Sequence, residues 1–130
     1  MGCSIDAPDD DGRSALTHAV IDCKYGIAKF LIDNGANINI RDNFGVSPLH
    51  YAAQANSPDI AEFLIAKGAT VDAEDQNGNT CLSNAIFYKS GCVIKLLLSA
   101  GANHNRKNKY GISPQMLANS MGIDINIYNI

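Results

Sequence analysis

The chain has 130 residues, 46% hydrophobic and 18% charged, with a formal net charge of −3. That is one small domain's worth of chain with enough apolar content for a single core, which excludes wholesale disorder. The acidic balance gives no global attraction to nucleic acid or anionic lipid, and the longest strongly apolar stretch, Val93 to Ala100, contains Lys95 and is too short to span a bilayer.

A strict register organises the chain from its first residues to its last. Gly12, Gly45, Gly78 and Gly111 are evenly spaced on a 33-residue register, and Gly35, Gly68 and Gly101 keep the same interval. So do Ala19, Ala52, Ala85 and Ala118, as well as Leu16, Leu49 and Leu82, and the series Asp9, Asp42, Asp75 continues as Asn108. Periods of this length mark stacked repeats. The expected division is a single domain over 1–130. Residues 1–8 are the tail of a partial repeat, 9–41, 42–74 and 75–107 are three full repeats, and 108–130 is a shortened C-terminal capping repeat.

In chain order, Met1-Gly2-Cys3-Ser4 offers Gly2 and Cys3 as an acylation start, against which Asp6 stands where the myristoylation pattern wants Ser or Thr; a plain start or tag remnant is the alternative. No basic start followed by an apolar run marks a secretory signal. Ile5-Asp6 lies one full repeat before Ile38-Asn39, so the tail reads as the end of a preceding unit.

The unit from Asp42 to Glu74 shows what one period encodes. Asn43-Phe44-Gly45 is a turn. Ser47-Pro48 supplies a helix cap and a first helical residue, and Leu49, Ala52 and Ala53 then follow at helical spacing. Asn56-Ser57-Pro58 breaks that helix and starts another, whose apolar face is Ile60, Ala61, Phe63, Leu64 and Ile65. Lys67-Gly68 ends it. The sequence therefore predicts turn, short helix, turn, longer helix and loop. Helices this short do not persist alone in water, so stability comes from stacking. Phe30 and Phe63 are assigned to the core because both lie on second-helix apolar faces. Near the C-terminus, a one-residue deletion after Ala118 puts Ile125 and Tyr128 in a final buried helix; the alternation of Ile123, Ile125 and Ile127 also suits an extended segment. Asn119, Asn126 and Asn129 supply a polar outer side.

The motif Ser47-Pro48-Leu49-His50-Tyr51-Ala52-Ala53 resembles the T-P-L-H-x-A-A core of the ankyrin repeat. Leu31-Ile32-Asp33-Asn34-Gly35-Ala36-Asn37-Ile38-Asn39 and Leu97-Leu98-Ser99-Ala100-Gly101-Ala102-Asn103-His104-Asn105 resemble its second-helix ending. The units beginning at Ser14, Thr80 and Ser113 match less fully. The resemblance implies an all-α solenoid of about four stacked helix-turn-helix units with short β-hairpin-like turns. It also implies that His50 ties adjacent repeats by hydrogen bonds and that the function is protein binding.

Chemistry is sparse. The four cysteines, Cys3, Cys23, Cys81 and Cys92, form no C-x-x-C pair, which points to reduced thiols in a cytoplasmic protein. His18 and Cys23 lack the geometry and orienting third group of a nucleophilic pair. No Cys or His spacing suits a metal, the glycines are too scattered for a phosphate loop, and Cys81 replaces the proline of Pro48 as a packing variant. His104 occupies the slot of Ile38 and Val71 beside the inter-repeat loop. No catalytic residue, cofactor, metal or small-molecule substrate is expected.

Surface recognition remains. The resemblance places partners on the concave side, contacted by turn tips and first-helix ends. By repeat position these are Asp10, Asp11 and Arg13; Asn43, Phe44 and Val46; Gln76, Asn77 and Asn79; and Lys109, Tyr110 and Ile112. Late first-helix positions add Ile21, Asp22, Gln54, Ala55, Phe87 and Tyr88, and Arg41, Glu74 and Lys107 precede the turns. Phe44, Phe87, Tyr88 and Tyr110 stand where packing does not require a ring, and aromatics are over-represented at energetically dominant interface positions; for Phe87 a tuck against a neighbouring helix is the alternative. Residues 1–65 carry a balance of −5 and residues 66–130 one of +2. The result is a lengthwise dipole that steers a partner, or two solvated loop clusters. The expected function is a non-catalytic protein-binding module, in its sharper form an immunity partner neutralising a secreted bacterial toxin, which the ending Met116 to Met121 resembles. The rival is an interaction domain of a larger regulator or host-directed effector. A thiol-based sensor or enzyme using Cys23 or Cys92 is the minor alternative.

Overall fold

The computed structural model describes residues 4–128. Among these residues seven helices run in order: α1 (Ala15–Ile21), α2 (Tyr25–Asp33), α3 (Pro48–Gln54), α4 (Pro58–Ala66), α5 (Cys81–Phe87), α6 (Gly91–Ser99) and α7 (Pro114–Ser120), followed by a 3-10 turn, Ile125–Tyr128. The odd-numbered helices have 7 residues each, while α2, α4 and α6 have 9. Among the described residues the one strand-like pairing is an antiparallel bridge between Glu74 and Thr80.

Each short first helix starts at a buried hydroxyl cap. The side chains of Ser14, Ser47, Thr80 and Ser113 accept from the backbone N–H of Thr17, His50, Ser83 and Met116. Such a cap contributes about 1 kcal/mol. The longer helices end on glycine. Gly68 has φ +97°, its N–H donates to the Ile65 carbonyl at 3.1 Å, and the Ala69 N–H donates to the Leu64 carbonyl at 2.9 Å. That pair of bonds satisfies two carbonyls the helix leaves open, and it needs the left-handed backbone that glycine adopts at no steric cost.

Between the two helices of each pair the chain turns through one left-handed residue. These are Cys23 (φ +57°), Asn56 (φ +50°), Lys89 (φ +57°) and Gly122 (φ +72°), again one per repeat at the same interval. Asn and Gly suit that conformation; Cys and Lys are held there against their own preference.

First helices stack on first helices (α1, α3, α5, α7) and second on second (α2, α4, α6, then the 3-10 turn). Leu16, Leu49 and Leu82 are fully buried between them, and the buried alanines Ala19, Ala52, Ala85 and Ala118 let the first helices approach closely. Burying one leucine side chain contributes about 1.5–3 kcal/mol.

The C-terminal unit carries amides at two positions that are apolar inside the stack, while Ile112 and Met116 stand exposed. Gln115 and Asn119 stand one repeat after the buried Leu82 and Ile86, and Gln115 Nε2 donates to Asn119 Oδ1 at 2.9 Å. Asn126 is exposed as well. Ile125 is buried while Ile127 is exposed; an extended segment puts both on one side, so the helical register holds. The Tyr128 side chain, Asn129 and the acylation start at Gly2 and Cys3 lie outside the described residues.

Phe30 departs from expectation. It is 65% exposed and not part of the core, because among the described residues α2 has no helix packed on the side that α4 presents to α2. Phe63, its counterpart in α4, also lies outside the buried core expected for it: it is half-buried, edge-on to Tyr25 with ring centroids 5.7 Å apart, and carries Lys29 and Lys67 over its ring.

Candidate functional site

The turn tips are built by one side chain each. Asp42 Oδ1 accepts from the N–H groups of Phe44 and Val46, both at 2.9 Å. Asp9, Asp75 and Asn108 do the same for Asp11 and Arg13, for Asn77 and Asn79, and for Tyr110 and Ile112. A carboxylate or amide oxygen is the right group, because two converging N–H donors need one acceptor with two lone pairs. Asp42 is itself buried. Its other oxygen accepts from the Tyr51 hydroxyl, and Arg13 Nε lies 3.7 Å away. Burial, with the Asp42 carboxylate adding, pushes the Tyr51 phenol up.

Successive tips are joined in a ladder. The Asn43 N–H donates to the Asp11 carbonyl (2.9 Å), that of Gln76 to the Phe44 carbonyl (3.0 Å) and that of Lys109 to the Asn77 carbonyl (2.9 Å). The approach is close: a Cβ on Gly45 would sit 2.8 Å from the Gln76 nitrogen. The ladder fixes Phe44 and Tyr110 at rigid places on one ridge, with the Asp10–Asp11 tip at one end and the Lys109 tip at the other.

Below the ridge, His50 links two helix pairs. Its Nδ1 accepts from the Ser47 N–H at 3.2 Å, so Nε2 carries the proton and donates to the Asn79 carbonyl at 2.9 Å. This is the inter-repeat tie the motif implies. His18 instead pairs with Asp9 at 2.6 Å, and this bond, with the Arg13 N–H, lowers the Asp9 carboxyl. The backbone of His104 meets the next helix, its carbonyl accepting from the Gln115 N–H at 2.8 Å.

Several expected contact residues are engaged within the stack. Arg41 donates from Nε to the Gly45 carbonyl at 3.1 Å and from its guanidinium end to the Glu74 carbonyl, and the Glu74 carboxylate takes Arg106. Asn79 accepts from Asn108 Nδ2 at 2.8 Å, Asn43 Nδ2 donates to the Asp10 carbonyl at 2.9 Å, and Arg13 lies over the Tyr51 ring and 3.6 Å from Asp11. Arg41, Asn79 and Glu74 are thus staples between units. Asp22, Gln76, Lys107 and Lys109 are exposed, and Val46, Gln54 and Asn77 half-exposed.

The four aromatics are the free part of the ridge. Phe44, Phe87, Tyr88 and Tyr110 are 45–72% exposed. Phe87 does not tuck into a neighbouring helix; it meets Tyr88 edge-on at 5.1 Å. The pair walls a cleft of about 280 Å³ whose other lining includes Gln54, Asn79, Asn84 and Asn108. A larger but shallow depression of about 400 Å³ lies over α2 and α4, against Tyr25 and Phe63.

The features that sequence reading missed are cross-links: the Asp42 carboxylate, Cys23 Sγ 3.0 Å from Ser57 Oγ, and Ser90 Oγ donating to the Ala53 carbonyl at 2.6 Å. The Asp9-Asp42-Asp75-Asn108 series was the one available signal. Cys81 is fully buried, which pushes its thiol up to about 12. Among the described residues no helix is long and apolar enough to cross a membrane.

A comparison with curated proteins finds no match. The family model described as ankyrin repeats, three copies, matches residues 23–108, about two thirds of the chain. Ankyrin repeats are in general protein–protein interaction modules and typically non-catalytic. With its 33-residue register, paired helices and laddered turn tips, this chain belongs to the ankyrin repeat family.

Proposed function

We propose that the chain is a non-catalytic protein-binding module. Its partner lies along the turn-tip ridge and first-helix ends, with Phe44, Phe87, Tyr88 and Tyr110 as anchors. The observation that carries this reading is the exposure of all four rings, Phe44 and Tyr110 on a ladder of turn tips held by backbone bonds and Phe87 and Tyr88 at the end of α5. Exposed rings on a rigid support lose little entropy on binding and bury much apolar area. Asp10, Asp11, Asp22, Gln76, Lys107 and Lys109 form the polar rim, and Asn43, Val46, Gln54 and Asn77 line the ridge. Arg13, Arg41, Glu74 and Asn79 act through the geometry they hold.

In its sharper form the partner is a secreted toxin that the chain neutralises as an immunity protein in the cytoplasm. The acidic first half suits a basic partner. The rival is an interaction domain of a larger regulator or host-directed effector. Capture of partners by the full chain, with mass spectrometric identification, tests the reading. A protein retained by the wild type and lost from a folded triple alanine variant at Phe44, Tyr88 and Tyr110 supports it. Equal retention by both contradicts it.

A further inference from the structure

The cleft beside Phe87 and Tyr88 lies where the repeats stop being equivalent. At the junction of the first two units the chain fills the corresponding place itself. The Tyr51 ring stands there with its hydroxyl donating to Asp42, and the Arg13 guanidinium lies 5.7 Å from the ring centroid. Two repeats later, at the junction of the third and fourth units, Leu117 stands at the position of Tyr51, Asn79 at that of Arg13 and Asn108 at that of Asp42. A ring, a guanidinium and a carboxylate are thus replaced by shorter or uncharged side chains. What opens at that junction is the cleft of about 280 Å³.

Its lining is mixed. Phe87 and Tyr88, edge-on to each other, supply ring surface, and Ile112 and Leu117 supply aliphatic surface. Asn79 and Asn108 are bonded to each other at 2.8 Å, which leaves the half-exposed amides of Gln54 and Asn84 open to a ligand. An amide both donates and accepts, and so does a hydroxyl. Among the described residues the lining holds no carboxylate, ammonium or guanidinium. A cation entering it would lose water with no anion to pair with. The volume is below that of a pocket for a drug-sized ligand and suits one side chain.

Taking the ridge as the partner-binding face, we propose that this cleft is a subsite for one tyrosine side chain of the protein partner. The ring seats against Phe87 and Tyr88, and the hydroxyl is held by the Gln54 and Asn84 amides. The partner's ring then occupies the place that Tyr51 occupies at the first junction.

The test is a nuclear magnetic resonance titration of the full chain with N-acetyltyrosinamide, with N-acetylphenylalaninamide and N-acetylargininamide as comparison probes. The side-chain amide signals of Gln54 and Asn84 and the backbone signals of Phe87 and Tyr88 report on the cleft. The expected result is saturable shifts with the tyrosine probe, in the millimolar range for so small a ligand, and clearly weaker binding of the other two. Leu117→Tyr, which supplies the ring from within the chain, should abolish the shifts, and Asn84→Ala should narrow the preference for tyrosine over phenylalanine. Phe44→Ala, on the ridge but outside the cleft, should leave them unchanged. Absence of shifts in the wild type overturns the proposal. So do equal binding of the phenylalanine probe, stronger binding of the arginine probe, or shifts that persist in a folded Leu117→Tyr chain. The titration uses no partner, so failure of the subsite and failure of the ridge reading are seen separately: capture by the wild type and loss in the triple variant can stand without the tyrosine preference.

Discussion

His50 Nε2 donates to the carbonyl oxygen of Asn79 at 2.9 Å, while Nδ1 of the same ring accepts from the Ser47 N–H. One neutral imidazole therefore caps its own helix and fastens it to the next unit. A protonated ring no longer accepts at Nδ1, and burial further holds the His50 pKa below 6.5. The unfolded chain takes up this proton near 6.5 and the native chain only at lower pH, so between the two values the unfolded state binds more protons. The contribution is complete above about pH 7 and is lost as pH falls through 6.5 toward the native value. Urea titrations between pH 8 and 5 should show stability falling with acid, with a smaller fall in His50→Gln. At pH 8 that variant should itself cost about 1–3 kcal/mol, the penalty of a buried partner left unpaired. An identical pH slope in both proteins contradicts the role given to His50.

Lys89 occupies a left-handed position that its neighbours along the register fill with Asn56 and Gly122. An L-residue with a full side chain is disfavoured there, and asparagine much less so. Lys89→Asn should raise stability by about 0.5–1 kcal/mol, measured by urea unfolding. Asn56→Val should lower it.

Leu49 and Leu82 are buried at the centre of successive helix pairs. Replacing either by Ala should cost about 2–5 kcal/mol. A loss well under 1 kcal/mol at either site would mean that these leucines do not sit in the packed core.

Thiol labelling of the native chain should separate the described cysteines. Cys23 and Cys92 are exposed, whereas Cys81 is buried with its thiol pushed up to about 12. A thiol this basic is almost wholly protonated at neutral pH, and the thiolate is the reactive form. Cys81 should label only on unfolding, and Cys23 and Cys92 slowly and at similar rates. Rapid modification of either exposed thiol would favour the sensor or enzyme reading over a binding module.

Much of the fold was legible because the register repeats the same local physics: hydroxyl caps at Ser14, Ser47, Thr80 and Ser113, and helix-ending glycines at Gly35, Gly68 and Gly101. Phe30 was misplaced because periodicity identifies an apolar helix face but not whether another helix covers it. The left-handed turns at Cys23 and Lys89 were hidden because those residue types do not signal that backbone. The proposed binding ridge was read from repeat position alone; Phe44, Tyr88 and Tyr110 are exposed, and Phe87, for which a tuck against a neighbouring helix was the alternative, is exposed too. Which polar residues on it are committed to the stack was not, since Arg41, Glu74 and Asn79 find their partners in neighbouring repeats.

The central claim is that exposed aromatics on the turn-tip ridge carry binding. The most direct measurement is the affinity of an identified partner for the wild-type chain and for the chain with Phe44, Tyr88 and Tyr110 changed to Ala, alongside urea unfolding of both. Truncating one interface aromatic of this kind typically costs about 2 kcal/mol, and each 1.4 kcal/mol is about tenfold in affinity. The account predicts at least a tenfold weaker Kd for the triple variant, with an unfolding midpoint close to the wild type. Unchanged affinity in a folded triple variant contradicts it and moves the binding surface off the ridge, to the second-helix face or the segment from Ile123 onward.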